Sequence, residues 1–114
     1  MNFEFVYKIC KTSEWLDAKR QGKFSGTKKD KSDGYIHFSN KDQVLSTLKK
    51  YFSDEKNLTL LKIKTLNLNS LVWEQSSNGD FFPHLYSNFE ISNVCEEYNI
   101  ASNTEGSFKL PLDY

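Results

Sequence analysis

Several residue types and motifs are scarce in this sequence, and each absence narrows the chemistry that the protein can perform. Among 114 residues there are two cysteines, two prolines and a single arginine, Arg20. No CxxC pair and no HExxH sequence occurs, so the common spacings of zinc ligands are missing and no metal site is predicted. There is also no P-loop, no GxGxxG and no G-x-S-x-G elbow. The standard phosphate-binding loops and the nucleophile motif of the α/β-hydrolases are therefore absent.

The chain also lacks long apolar runs. No window of 18 apolar residues exists, so no membrane-spanning segment is expected. The first residues contain no basic region followed by an apolar region, which predicts a cytoplasmic protein rather than a secreted one. In that compartment Cys10 and Cys95 are expected to be buried thiols, although the sequence leaves a disulfide between them open.

The net charge is zero, but the charges are unevenly distributed. Residues 1–64 carry a net charge of +6 and residues 65–114 a net charge of −6. Six cations and one anion fall within residues 19–31, and this segment is interpreted as solvated lysines or, less simply, as a loop that attracts phosphates. The glycines of residues 22–34 predict an exposed, mobile loop. The balanced total charge argues against broad nucleic-acid binding.

The pattern of apolar residues predicts an α+β fold. Nine Phe, six Tyr and two Trp are enough to build the core of one domain spanning residues 1–114. Alternation and helical periodicity give the expected elements. These are a strand over residues 3–9 with Lys8 on its polar side, a helix capped by Thr12 or Ser13 and ended by Gly22, a strand over residues 35–38, a helix capped by Ser39 or Asn40 and reaching Phe52, and strands over residues 58–64, 71–74 and 93–100. Phe82 is expected to be extended because it precedes Pro83, and the tail after Ser102 is expected to be irregular.

The two histidines are the strongest functional signal. His37 and His84 each lie in a short aromatic and aliphatic segment, followed two residues later by a hydroxyl-bearing residue, Ser39 or Tyr86. Imidazole titrates near neutral pH and can donate, accept or ligate. This pattern predicts one shared concave polar site in an apolar wall, although a structural histidine is nearly as common in such a setting. The candidate catalytic residues are His37, His84 and Glu74, and the candidate ligand-binding residues are Tyr7, Lys8, Ser39, Trp73 and Tyr86. Core packing is the competing interpretation for Tyr7 and Trp73, and a solvated strand end for Glu74.

Taken together, several motifs resemble a family of small bacterial proteins known only as a domain of unknown function. The motifs are the VYKIC segment at residues 6–10, Trp15, the GYIHFS segment at residues 34–39, Gln43, the LLKI segment at residues 60–63, Trp73 with Glu74, and the FPHLY segment at residues 82–86. That family is distantly similar to the ADP-ribosyltransferase-like fold, and most similar to RNA 2′-phosphotransferases. The resemblance implies a bent, split β-sheet, with two short helices in the N-terminal half, that grips NAD or ADP-ribose-like groups.

What the resemblance implies for function differs by position. His37 and Ser39 match a Val-His-Leu-Ser strand of the phosphotransferases and are carried over as site residues. In the first strand of that family a Tyr-His-Gly-Thr sequence occurs, whereas here Lys8 and Ile9 stand in place of the histidine and glycine. We therefore predict a small-molecule or nucleotide site, with NAD as the candidate cofactor and ADP-ribosyl transfer as the related chemistry. A non-catalytic binding module of the same fold and a metal-dependent hydrolase are the alternatives. No oligomeric state is predicted.

Overall fold

The computed structural model describes residues 3–101, 108, 110, 111, 113 and 114, and its elements confirm the α+β class. The predicted irregular tail lies largely outside the described residues. The strands are β1 (Phe5–Lys11), β2 (Lys23–Phe24), β3 (Ile36–His37), β4 (Leu58–Lys64), β5 (Leu71–Gln75), β6 (Phe81–Leu85), β7 (Phe89–Glu90) and β8 (Val94–Ile100). The α-helices are α1 (Thr12–Gln21), α2 (Lys28–Asp33) and α3 (Val44–Tyr51), and single 3-10 turns cover Lys41–Gln43 and Ile91–Asn93.

The strands form three antiparallel groups. β4 lies between β1 and β8, β2 pairs with β7, and β6 lies between β3 and β5. The first and third groups meet at one backbone bridge, where Tyr7 and Ser39 exchange two hydrogen bonds of 2.8 Å. The bridge fixes the position of β3, and therefore of His37, relative to the strand β1.

Strand β1 is buried on both faces, which the alternating sequence does not show. Val6 and Cys10 pack into a core cluster with Trp15, while Tyr7 and Ile9 pack on the opposite side with the α3 side chains. Because helices or other strands cover both sides of the β1–β4 pair, there is no solvent-facing side for Lys8. The prediction that Lys8 lies on a polar face is therefore wrong, and its ammonium group is buried instead.

The helix ends follow from local hydrogen bonding. Asn40 caps the turn that leads into α3: its Oδ1 accepts from the Gln43 amide at 2.9 Å and the Gln43 side chain accepts from the Asn40 amide at 3.0 Å. Helix α1 begins one residue before the predicted caps, with Lys11 as the N-cap, because the Glu14 carboxylate accepts from the Lys11 amide. It ends as predicted at Gly22, whose φ of 81° suits a residue without a Cβ.

The segment over residues 22–34 is not a featureless loop. It contains β2 and the helix α2, which brings the number of α-helices to three rather than two. Thr27 caps α2, since its hydroxyl accepts from the Asp30 amide and the Asp30 carboxylate accepts from the Thr27 amide. The T-x-x-D spacing is a capping box that the surrounding lysines obscured. Asp30, the acidic residue of this capping box, is only 2% exposed.

The two cysteines are free thiols with different surroundings. Cys10 is buried on β1, as expected, whereas Cys95 is exposed on β8 because its side chain projects from an edge strand. Burial raises the pKa of the Cys10 thiol to about 12, so it remains protonated at neutral pH. Within the described residues no helix is long and apolar enough to cross a membrane.

Candidate functional site

The candidate site is one face of the three-stranded group β3–β6–β5. Register pairs His37 with His84 and Val72 with His84, so the two imidazoles lie side by side on adjacent strands. Since side chains two residues apart share a face of a strand, the same surface carries further aromatic and acidic groups. The residues on this surface, called the histidine face below, are Tyr35, His37, Val72, Glu74, Phe82, His84 and Tyr86.

The opposite face of these strands is buried and supports the histidine face. Ile36 and Leu85 are paired across β3 and β6 and are buried, and Pro83 is buried as well. Burial of this face holds the backbone of both histidine strands against the core. The histidine face is thereby presented on a packed support rather than on a mobile loop.

The aromatic rings of the histidine face are in contact. The His37 and His84 ring centroids are 5.6 Å apart with an interplanar angle of 71°. Tyr35 stacks on His84 at 4.2 Å and 28°, and its ring centroid is also 4.7 Å from that of His37 and 5.4 Å from that of Tyr86. The predicted proximity of the two histidines is confirmed, and Tyr35 is the ring that joins them.

His84, Glu74 and Tyr86 form a hydrogen-bonded triad. Glu74 Oε1 lies 2.8 Å from His84 Nδ1 and accepts from the Tyr86 hydroxyl at 2.6 Å. The hydrogen bond from Tyr86, and then that from His84, lower the pKa of Glu74, so the carboxylate is ionised at neutral pH. An ionised Glu74 requires the proton of a neutral imidazole to be on Nδ1, which leaves His84 Nε2 as a proton acceptor. This arrangement is that of a general base oriented by a carboxylate.

The same triad predicts an unusual tyrosine titration. The hydrogen bond to Glu74 raises the pKa of Tyr86 to about 12. In Glu74→Gln the acceptor carries no charge, so we expect the pKa of Tyr86 to fall toward the ordinary value of about 10. The phenolate absorbance of each protein, minus that of its Tyr86→Phe counterpart, isolates this one tyrosine among six. Identical difference titrations with Glu74 and with Gln at this position would contradict the triad.

His37 is held by two carboxylates of α2. Its Nδ1 lies 2.6 Å from Asp30 Oδ1 and its Nε2 lies 2.9 Å from Asp33 Oδ2. Asp33 also accepts from Lys29 at 3.1 Å. That hydrogen bond and the Lys29 charge, followed by the charge and hydrogen bond of His37, lower the pKa of Asp33. Both ring nitrogens of His37 are therefore occupied, in contrast to those of His84.

Beneath His37 lies a buried ion pair. The Lys8 ammonium contacts both Asp30 oxygens, at 2.9 and 2.8 Å, and donates to the His37 carbonyl at 2.9 Å. Burial alone would raise the pKa of Asp30, but the hydrogen bonds from His37 and Lys8 and the Lys8 charge hold it well below its usual range. Lys8 is thus placed behind the histidine face, where it supports His37 and does not reach the surface.

Three other candidate residues lie away from the histidine face. Tyr7 points to the opposite side of β1, where it packs edge-on against Tyr114 with the two ring centroids 5.6 Å apart. The buried Ser39 hydroxyl pairs with Thr47 at 3.2 Å. Trp73, adjacent to Glu74 on β5, points to the opposite face and packs against Phe3 at 4.9 Å. The structure therefore brings together His37, His84, Glu74 and Tyr86.

Sequence reasoning missed Tyr35, Asp30 and Asp33. The signal for Tyr35 was its position two residues before His37, which places both rings on one strand face. The signal for the two aspartates was the capping box at Thr27, which makes residues 30 and 33 neighbours on one turn of helix. Phe82 lies in the strand β6, which agrees with its expected extended conformation, and it is half-buried because it shares the face of His84.

Two surface depressions formed by described residues bear on the site. One of about 340 Å³ borders the histidine face, with Tyr35 and Tyr86 on one side. Its other lining includes polar groups of Ser25, Lys31, Ser87 and Asn88. The second, of about 790 Å³, lies between the start of α1, the start of β4 and the end of β8. Neither His37 nor His84 lines either of these two depressions, so neither depression is the predicted concave site between the histidines. The smaller depression is the one that adjoins the titratable cluster.

Among the described residues there is no group of three or more His, Cys, Asp or Glu side chains that could hold a metal ion. His37 and the two aspartates are instead hydrogen-bonded to one another.

Comparison with known proteins identifies a family. Residues 9–97 match the family described as a protein of unknown function, DUF952. The crystal structure of protein CC0527 from Caulobacter crescentus is 38% identical, with a TM-score of 0.87 over 93% of this chain and 94% of that chain. The solution NMR structure of CC0527 gives 38% identity and a TM-score of 0.80 over 91% and 90% of the two chains. No curated protein matches.

Proposed function

The chain belongs to the DUF952 family, and from the geometry of its site we propose that the histidine face binds a nucleotide-type ligand and that His84 acts there as a general base. One observation carries the proposal: Glu74 Oε1 lies 2.8 Å from His84 Nδ1 and 2.6 Å from the Tyr86 hydroxyl. This contact fixes the tautomer in which Nε2 accepts a proton. Among the described residues nothing hydrogen-bonds Nε2, so that atom is available to a ligand.

The surroundings of His84 suit a planar, polar ligand. Tyr35 and Tyr86 offer aromatic surface on which a base or a nicotinamide ring can stack. The adjoining depression, at about 340 Å³, is of the size that small-ligand sites have, and it adds one lysine and several hydroxyl and amide groups. The single ammonium group of Lys31 gives one anchor for a phosphate.

The proposed chemistry is transfer of an ADP-ribosyl-type group, which is what the sequence resemblance to the ADP-ribosyltransferase-like fold implies. His84 Nε2 takes the proton of an acceptor hydroxyl, whose oxygen then bonds to the anomeric carbon of the ribose. The carbon–nitrogen bond to nicotinamide breaks, and its electron pair leaves with nicotinamide. Glu74 stabilises the imidazolium ion that forms, as a carboxylate partner of a catalytic histidine does.

A non-catalytic binding module is the second candidate function. The observation that favours it is the environment of Lys8, which is buried in an ion pair with Asp30. By the sequence resemblance, Lys8 takes the place of a histidine of the phosphotransferases. Both nitrogens of His37 are also engaged by carboxylates. A protein with these features can keep the ligand surface and perform no group transfer.

A thermal-shift series tests ligand binding. NAD, ADP-ribose, AMP and nicotinamide are compared, with Mg²⁺ and Zn²⁺ as arms for the metal-dependent hydrolase. A ligand at a hundred times its Kd stabilises the native state by about 2.7 kcal/mol, which raises Tm by about 10 °C. His84→Ala is expected to weaken binding by about tenfold or more, the effect of losing one hydrogen bond in a charged site.

The matched control is Asn99→Ala, which alters the lining of the other depression. Equal loss of affinity in both variants, or no shift with any nucleotide, would refute binding at the histidine face. Release of nicotinamide from NAD, followed by chromatography, separates the two candidate functions. An enzyme loses turnover in Glu74→Gln, whereas a binding module shows ligand shifts and no release in any variant.

A further inference from the structure

The contacts of His37 join the helix α2 to the sheet. Asp30 and Asp33 come from α2, and His37 comes from β3. The two carboxylates approach opposite nitrogens of the same ring, at 2.6 and 2.9 Å. Carboxylates at their ordinary charge are acceptors only, and a ring nitrogen can satisfy one only by donating a proton.

The number of protons on the His37 ring determines how many of these two contacts are hydrogen bonds. An imidazolium ion has two N–H groups and can donate to both aspartates. A neutral imidazole has one N–H group and can donate to only one. The nitrogen that has lost its proton then presents a lone pair to a carboxylate, and that contact becomes repulsive.

We infer that His37 is a proton-dependent clamp, which holds α2 on the sheet when the ring is charged and releases the Asp33 end when the ring is neutral. Asp30 retains the proton of Nδ1, because it is fixed by Lys8 and by the amides of Thr27 and His37. Asp33 lies at the exposed end of the helix and has Lys29 as an alternative partner. Release is therefore at Asp33.

All charged and titratable groups that face His37 are consistent with this assignment. From α2 these are the two aspartates, with Lys29 paired to Asp33. From β1 the Lys8 ammonium donates to the His37 carbonyl, and from β6 the His84 ring lies 5.6 Å away with Glu74 bonded to its far side. Tyr35, the residue that precedes β3, contacts the His37 ring. Among these groups, Asp33 is the one that contacts His37 Nε2 within hydrogen-bond distance.

The clamp controls the border of the smaller depression. Asp30, Lys31, Gly34 and Tyr35 all line it, and they belong to the end of α2 and the residues that follow. Gly34 and Tyr35 donate their amides to the Asp30 carbonyl, at 2.9 and 3.2 Å, and these bonds report on the helix end. Deprotonation of His37 should loosen this segment and widen the depression. The inference holds whether or not a ligand binds there.

Hydrogen exchange across pH 5 to 8 tests the clamp. Protection factors, which are corrected for the intrinsic pH dependence of exchange, are measured for the Gly34 and Tyr35 amides. The imidazole NMR signals of His37 give its protonation in the same samples. We expect protection of these two amides to fall by about fivefold as His37 loses its proton, the upper range for an exposed ion pair.

Asp33→Asn is the matched variant. An amide can donate or accept, so Asn at this position can satisfy Nε2 in either protonation state, and the pH dependence should disappear. Circular dichroism confirms that the variant is folded. Protection that does not follow His37 titration in the natural protein would overturn the clamp, as would an unchanged pH dependence in Asp33→Asn.

Discussion

Replacing Asp30 with Asn is expected to destabilise the protein by about 3–5 kcal/mol, the cost of leaving a buried charge without its partner. Lys8 is only 3% exposed, and its ammonium has the Asp30 carboxylate as its counter-ion at 2.8 Å. The amide of Asn also offers one acceptor oxygen where the carboxylate uses both, for Lys8, Thr27 and His37. Urea unfolding at neutral pH measures the loss.

Two controls separate the buried charge from the rest of the network. Asp33→Asn removes the other carboxylate beside His37 and should have a much smaller effect, since this residue is exposed. The double variant with Lys8→Met and Asp30→Asn should recover part of the loss, because no unpaired ammonium remains. A double variant as unstable as the sum of the two single variants would contradict the ion pair.

Acid unfolding gives an independent check on the same residue. The pKa of Asp30 is lower in the folded state than the unfolded value of about 3.9, so protons bind preferentially to the unfolded chain. The stabilisation is therefore complete above the unfolded pKa and is lost as pH falls through the lower folded pKa. In Asp30→Asn the free energy of unfolding should therefore depend less on pH in this acidic range.

Leu85→Ala is expected to cost about 2–5 kcal/mol, and the neighbouring His84→Ala only about 1–3 kcal/mol. Leu85 is 1% exposed and pairs with Ile36 and Leu71. Its truncation therefore leaves a cavity on the buried face that supports the histidine face. His84 projects to the other side of the same strand. Denaturant melts give the free energy of unfolding of each variant. The affinity of each variant is measured for the ligand that responds in the thermal-shift series.

The expected pattern is a reversal between the two measurements. His84→Ala should lose binding with modest loss of stability, whereas the Leu85→Ala protein that remains folded should bind with nearly natural affinity. If His84→Ala unfolds the protein as much as Leu85→Ala, or leaves binding unchanged, His84 has a structural role. Phe82 is less suitable for this comparison because it is half-buried on the histidine face.

Local sequence patterns were sufficient for most of the strands and for two helix boundaries. Alternation predicted β1, a leucine-rich segment predicted β4, and the caps at Gly22 and Asn40 bounded α1 and the turn before α3. The matching surroundings of His37 and His84 predicted that the two rings would be adjacent. Each of these inferences uses interactions within a few residues, or a periodicity that one face of an element imposes.

The sequence by itself therefore determined the α+β class, most strand positions and the histidine pair, but only the tertiary structure decided which charges are buried. Lys8 and Asp30 are 22 residues apart, and nothing local to either indicates that they meet. The same holds for Tyr7 and Trp73, whose directions depend on which side of each sheet is covered. Burial and ion pairing arise from contacts distant in sequence, and a strand has the same alternation whether one face is covered or both.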